Sequence, residues 1–322
     1  MIPEAPRAVV VLGCVPRSGT NYIADVLCCH PRVVTAAGAP EDHFLRDAPR
    51  LIAYAESTRA HWLALWPDWP ELRVASINDL TGALGHALLE MGATSGSPEV
   101  VVHKTPEVGG LHLTPRLWPN VPVFVLVRDG RAVVESMRRS WGIKLDVAAA
   151  RWQRSIATIQ ETFGDPAGRP DDRLLVYYED LTTDPVGSLD TLLDHARPDS
   201  QAVDTELVKT LPVRGSSTEQ PESGLGWSPV ERPAGFDPLR RWEETWSAAD
   251  HRTFWAIAGE GMDWLGYGRG ERVSPATADR VRISGLAARR SLGAPGAPAP
   301  ARVVPPQPAR PVGRPVSLGS PR

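Results

Sequence analysis

The chain has 322 residues, 42% of them apolar and 23% charged, with a formal net charge of −3. That is enough apolar material for one large domain core, and the near-neutral balance argues against a nucleic-acid partner. No run of about 18 apolar residues is present to cross a bilayer, and Met1–Arg7 lacks the regions of a secretory leader, so a cytoplasmic protein is expected. Three cysteines (Cys14, Cys28, Cys29) stand in early apolar runs without metal-type spacing and read as reduced core residues.

In chain order, strands are expected at 8–14, 99–103, 121–127 and 173–178. Helices are expected at 20–29, 44–56, 77–91, 129–140, 146–163, 186–195 and 248–264. Alternating strands and helices predict an α/β domain: a parallel β-sheet flanked by helices on both faces. Residues 205–240, rich in Gly, Pro and Ser, read as a long functional loop. Composition changes near residue 270. The segment 271–322 holds nine arginines, no lysine, two acids and ten prolines, a net of +7. It reads as a disordered tail behind a single domain at 1–270.

The first strand, Val9–Gly13, runs through Cys14-Val15-Pro16-Arg17-Ser18-Gly19-Thr20-Asn21 into a helix. A strand turning tightly into a helix makes an anion site, because the free N–H groups and positive dipole end of the first turn face the loop. Arg17 adds a two-pronged donor. The loop is not G-x-x-x-x-G-K-[ST]: five residues separate Gly13 from Gly19, and no lysine precedes Thr20.

A second strand, Val121–Val127, ends at Arg128. Asp129 is a good N-cap for the helix that carries Ser136 two turns on. Arg128 thus stands at the carboxyl end of a strand, where open α/β sheets bind ligands.

Together these two segments resemble the sulfotransferase superfamily that uses 3′-phosphoadenosine 5′-phosphosulfate (PAPS), and most closely its bacterial, tyrosylprotein-sulfotransferase-like branch. Val15–Tyr22 is similar to the family's 5′-phosphosulfate loop, and Val125–Met137, with Arg128 and Ser136 eight positions apart, to its 3′-phosphate segment. Leu175–Leu181, Met262–Tyr267, His103–Pro106 and Ser216–Gln220 extend the likeness over residues 8–268. The resemblance implies a P-loop-type fold and PAPS as donor, with no metal. It also implies that Arg17, Ser18, Gly19, Thr20, Asn21, Arg128, Ser136, Tyr178, Ser217 and Arg241 bind the donor. Where relatives have a lysine, Arg241 stands instead, and the two are not interchangeable at a tight site.

Lys104 is the expected electrophile, a strand-end lysine near the departing phosphate oxygen. The resemblance assigns the acceptor base to Glu41. The alternative is that Glu41 and Asp42 only start the next helix, and His43 is the chemical runner-up for the base. Ser217 completes the catalytic candidates. Trp62, Trp66 and Trp69 share a helical face. Core packing is expected for them, and an aromatic wall for an acceptor is the alternative. The reading is sulfuryl transfer to a small-molecule or carbohydrate hydroxyl rather than to a protein tyrosine. Its rivals are a P-loop kinase-like phosphotransferase and a non-catalytic nucleotide-binding module.

Overall fold

A computed structural model describes residues 7–37, 41–69, 77–91, 98–164, 173–198, 203–212 and 237–268. Five parallel strands form one sheet: β1 (Arg7–Gly13), β2 (Val33–Thr35), β3 (Val100–Thr105), β4 (Val123–Val127) and β5 (Arg173–Tyr177), in the order β2-β3-β1-β4-β5. β1 pairs with β3 from Arg7↔Val100 to Leu12↔Thr105, and with β4 from Val10↔Val123 to Gly13↔Leu126.

The period of two in a strand sends alternate side chains to opposite faces. Val10 and Leu12 of β1, with Val123, Val125 and Val127 of β4, enter one hydrophobic core. Val9 and Val11, with Phe124 and Leu126, enter the other. Helices bury both faces, as a parallel sheet requires. The first core is closed by α2 (Phe44–Leu65), α5 (Gly130–Trp141), α6 (Leu145–Phe163) and α10 (Ala248–Leu265), joined by α3 (Ile77–Glu90) and the short α4 (Thr114–Leu117). The second is closed by α1 (Thr20–Leu27), α7 (Tyr178–Thr183), α8 (Pro185–Ala196) and α9 (Thr205–Thr210).

The expected α/β architecture is present, with several corrections. β2 is an additional strand of three residues. α2 runs to Leu65 rather than 56. β5 ends at Tyr177, and Tyr178 begins a helix instead of finishing the strand. The expected loop at 205–240 starts as α9, because Asp204 accepts hydrogen bonds from the Glu206 and Leu207 N–H groups. Its remainder at 213–236 and the tail at 271–322 lie outside the described residues.

Trp62 is 36% exposed, Trp66 47% and Trp69 48%, which overturns their placement in the core. The buried side of α2 consists of Leu45, Ala48, Ile52 and Ala55, all in its first half. Beyond Ala55 the helix has no buried residue; Trp62 lies there, and Trp66 and Trp69 follow the end of the helix at Leu65 instead of continuing its face. Cys14 and Cys29 are buried and all three cysteines are free. No described helix is long and apolar enough to cross a membrane.

Candidate active site

The chain leaves β1 toward β2 and leaves β4 toward β5. The connections therefore diverge between these neighbouring strands, and the crevice at their carboxyl ends is the expected ligand position. The loops after β1 and β4 both open there.

In the first loop, Cys14 N–H donates to Leu126 O at 2.8 Å, tying its start to β4. Gly19 is the N-cap of α1, with φ 107° and no side-chain cap; Tyr22 N–H donates to Gly19 O at 2.9 Å, and the Thr20 and Asn21 N–H groups ahead of it are placed to meet an anion. A Cβ on Gly19 would collide with the Tyr178 ring. Glycine is required here by both its left-handed backbone and that contact. Arg17 also has positive φ, 78°. Its Nε donates to Ser136 Oγ at 3.0 Å, and its guanidinium lies 5.7 Å from the Trp141 ring centre. Ser18 and Thr20 are buried. Burial pushes the Cys14 thiol up to about 12, so this cysteine remains a thiol.

In the second loop, Asp129 accepts from the Arg131 N–H at 2.8 Å and caps α5. Arg131 returns a two-pronged pair to the same carboxylate, with Nη2 at 2.7 Å from Oδ2. Arg128 has no such partner: among the described residues no carboxylate pairs with it. It is 7% exposed, with Nη1 on Arg17 O at 2.9 Å, Nη2 on Pro238 O at 2.5 Å and the guanidinium 4.3 Å from the Tyr178 ring centre. Its Nε is buried without a hydrogen-bond partner. A buried cation without a counter-charge is costly, and an anionic ligand relieves that cost. Ser136 faces the same space from α5, through Arg17.

Tyr178 is therefore packed between Gly19 and Arg128, supporting both loops. Tyr177 is core, with its hydroxyl toward Leu265 O. Arg241 sits half-buried in the turn before α10, whose Pro238 carbonyl holds Arg128. Ser217 lies outside the described residues.

Lys104 leaves the carboxyl end of β3, and its Nζ donates to Asn21 Oδ1 in the first turn of α1. Burial lowers its pKa from the usual lysine value, against the pull of Glu41, Asp25 and Asp42. Burial raises Glu41 above the ordinary carboxylate range, while Lys104 and His43 oppose the shift. Asp42 behaves otherwise. Burial works to raise it, but the neighbouring His103 ring (Nδ1 3.6 Å from Oδ2) and the hydrogen bonds from Thr105 Oγ1 (2.6 Å) and the Phe44 N–H (3.2 Å) outweigh burial and hold it low. Asp42 thus anchors the loop and starts α2, whereas Glu41 beside it makes neither of these bonds.

Two groups were not singled out in the sequence. Glu107, after Pro106, comes within 3.8 Å of His43. Glu179 accepts from the Asp129 N–H at 2.9 Å and the Tyr267 hydroxyl at 2.7 Å. Burial and the neighbouring Asp129 charge raise it to about 7, against those two bonds. Glu179 was visible only as part of the Tyr-Tyr-Glu-Asp element, and the sequence around Glu107 reads as a turn.

The sheet order and the paired loops define an α/β protein with a crevice at the carboxyl ends of β1 and β4. Residues 8–199 match the family profile described as Sulfotransferase family, and the chain belongs to that family. It is similar to the Protein-tyrosine sulfotransferase of Drosophila melanogaster, at 30% identity over 189 residues, 55% of this chain and 35% of that one. It is also similar to Protein-tyrosine sulfotransferase 1 of Danio rerio, at 29% identity over 195 residues, 57% of this chain and 51% of that one. The chain thus spans about a third to a half of the length of these relatives. Among solved structures it aligns with the sulfotransferase domain from the Synechococcus PCC 7002 olefin synthase, at 22% identity and TM-score 0.46, covering 81% of this chain and 96% of that one.

Proposed function

We propose that the protein transfers a sulfuryl group from PAPS to a hydroxyl acceptor. Family membership supports the reaction type. The observation that carries the donor is Arg128: a buried guanidinium at the end of β4 that has no carboxylate partner among the described residues and whose Nε is unpartnered among them. That is a site for a phosphate, and the open first turn of α1 nearby is a site for another. The donor's residues fit accordingly: Arg128 and Ser136 for the 3′-phosphate, with Arg17 bridging to them. Ser18, Gly19, Thr20 and Asn21 would hold the 5′ end, with Tyr178 as support and Arg241 and Ser217 as further contacts.

When bound, the donor supplies a sulfuryl group already activated by its bond to phosphate. The chain supplies the rest. Lys104 places positive charge beside the first turn of α1, where the leaving phosphate would gather charge. Asn21, which accepts from Lys104, aims that ammonium. Glu41, half-buried and raised by burial, takes the acceptor's proton.

Glu41 and Glu107 make the acceptor side acidic, which disfavours anionic acceptors and supports a neutral small-molecule or carbohydrate hydroxyl. A protein tyrosine is the second reading, favoured by the names of the relatives. The free thiols support a cytoplasmic location.

The test is transfer of labelled sulfate from PAPS to a panel of sugars, alcohols, phenols and tyrosine peptides. Labelled product from the neutral hydroxyls is the expected result. Transfer to none of the panel contradicts the proposal, and transfer to tyrosine peptides alone replaces the acceptor assignment.

A further inference from the structure

His43 stands between two carboxylates. Its Nε2 lies 3.6 Å from Glu41 Oε2 and its Nδ1 lies 3.8 Å from Glu107 Oε1. These are ion-pair separations a few tenths of an ångström beyond a hydrogen bond, as is common in active sites without substrate. The side chains become more exposed in that order: Glu41 31%, His43 37%, Glu107 52%. The three groups form a line from the half-buried base to water.

The line is built by two segments that the backbone locks together. Asp42 N–H donates to Lys104 O at 3.1 Å, His43 N–H to Thr105 Oγ1 at 3.2 Å, and Thr105 Oγ1 to Asp42 Oδ1 at 2.6 Å. β3 therefore does two things as it ends. It presents Lys104 toward α1, and it aligns the 41–43 loop with Glu107. These bonds also hold His43 at φ 51°, a left-handed conformation that disfavours histidine. Backbone held in such a region by its surroundings is a pointer to function. The ionisable groups around His43 are Glu41 and Asp42 from its own loop and Glu107 from the β3 exit. Lys104 stands beside Glu41, and His103 beside Asp42.

We propose that His43 and Glu107 form a proton exit for Glu41. The proposal rests on the reading of Glu41 as the acceptor base. As the acceptor oxygen bonds to sulfur, the bond from sulfur to the phosphate oxygen breaks and its electron pair leaves with the phosphate. The acceptor's proton moves to Glu41. His43 Nε2, unprotonated and facing Glu41, then takes that proton, and the Nδ1 proton leaves toward Glu107 and water. This direction requires the Nδ1–H tautomer, which Glu107 favours from its side, and proton exchange with water returns the ring to it after each transfer. The imidazole thus follows the base in series instead of replacing it.

The test combines chemical rescue with a readout that needs no donor. His43→Asn keeps a residue that tolerates the left-handed backbone and suits a helix N-cap, but it carries no proton. In weak buffer its kcat should fall roughly tenfold or more, with KM for the acceptor little changed, and added imidazole should restore most of the loss. Glu41→Gln should not be restored. Ring ¹⁵N shifts of His43 should show the Nδ1–H tautomer in the unaltered protein and a mixture in Glu107→Ala. Full turnover by His43→Asn without imidazole overturns the relay, as does failure of imidazole to restore it. A ring that is mainly Nε2–H in the unaltered protein overturns Glu107's part. Absence of transfer by the unaltered enzyme contradicts the proposed function itself and removes the relay with it.

Discussion

Arg17, in the loop after β1, donates from Nε to Ser136 Oγ, two turns into α5, at 3.0 Å. The loop after β1 and the helix after β4 are thereby one unit. Arg128 closes it from beneath, with Nη1 on the Arg17 carbonyl. On the donor reading proposed above, a phosphate bound here would meet three linked groups rather than one. Ser136→Ala should therefore weaken adenosine 3′,5′-bisphosphate by more than one hydrogen bond, roughly tenfold or above. Titration calorimetry measures it. An unchanged affinity would mean that Ser136 only serves Arg17.

Lys104→Ala should leave donor binding within a few fold and lower turnover by about a hundredfold or more, because its charge acts on charge that develops during transfer. Single-turnover kinetics at saturating donor separate the two. Equal losses in binding and turnover would make Lys104 a binding residue.

The pH profile follows from two opposite shifts. As the proposed base, Glu41 would act as a carboxylate, and burial raises its pKa, so the rising limb of kcat/KM should lie above the ordinary carboxylate range. Lys104 acts as an ammonium, and burial lowers its pKa, so the falling limb should lie below the usual lysine range. Turnover by Glu41→Gln should fall roughly 10²–10⁴-fold and lose the rising limb. A rising limb that survives in Glu41→Gln would move the base elsewhere.

Glu179 offers a stability test independent of activity. Its folded pKa, about 7, is above the ordinary value of 4.5. Between those values the folded chain holds a proton that the unfolded chain releases, so this contribution is present at low pH and lost as pH rises toward 7. Glu179→Gln removes the titration. Its melting temperature relative to the unaltered protein should rise steadily from pH 4.5 to 7. A constant difference across that window would contradict the shift.

Much of this was visible in the sequence because it rests on local chemistry. The apolar β-branched runs of β1 and β4 declare buried parallel strands, and the residues that follow them mark the crevice. β2 escaped because a strand of three residues is too short to show a period. α2 outlasted its expected end because its apolar stripe stops at Ala55 while helix formers continue, which is also why the tryptophans are outside. Tyr178 was assigned to the strand because a tyrosine suits strands, but the turn at Tyr177 decides its place by pressing the ring on Gly19. The meeting of Glu107 with His43 has no local cue. It exists only because the Asp42 N–H bonds to the Lys104 carbonyl.

Gly19→Ala gives a direct probe of that packing. A methyl group there meets the Tyr178 ring and forces an unfavourable φ, so stability should fall by about 1–3 kcal/mol and donor binding should fall with it. Denaturant unfolding checks the first part. A variant as stable as the parent would show that the loop relaxes freely.

The most direct measurement is calorimetric titration of the protein with adenosine 3′,5′-bisphosphate and with 5′-AMP, before and after Arg128→Ala. The bisphosphate should bind at one site per chain and at least about tenfold more tightly than AMP, and Arg128→Ala should remove that preference. Equal affinities for the two nucleotides, or a preference that survives the loss of Arg128, would contradict the assignment of the crevice to a 3′-phosphorylated sulfate donor.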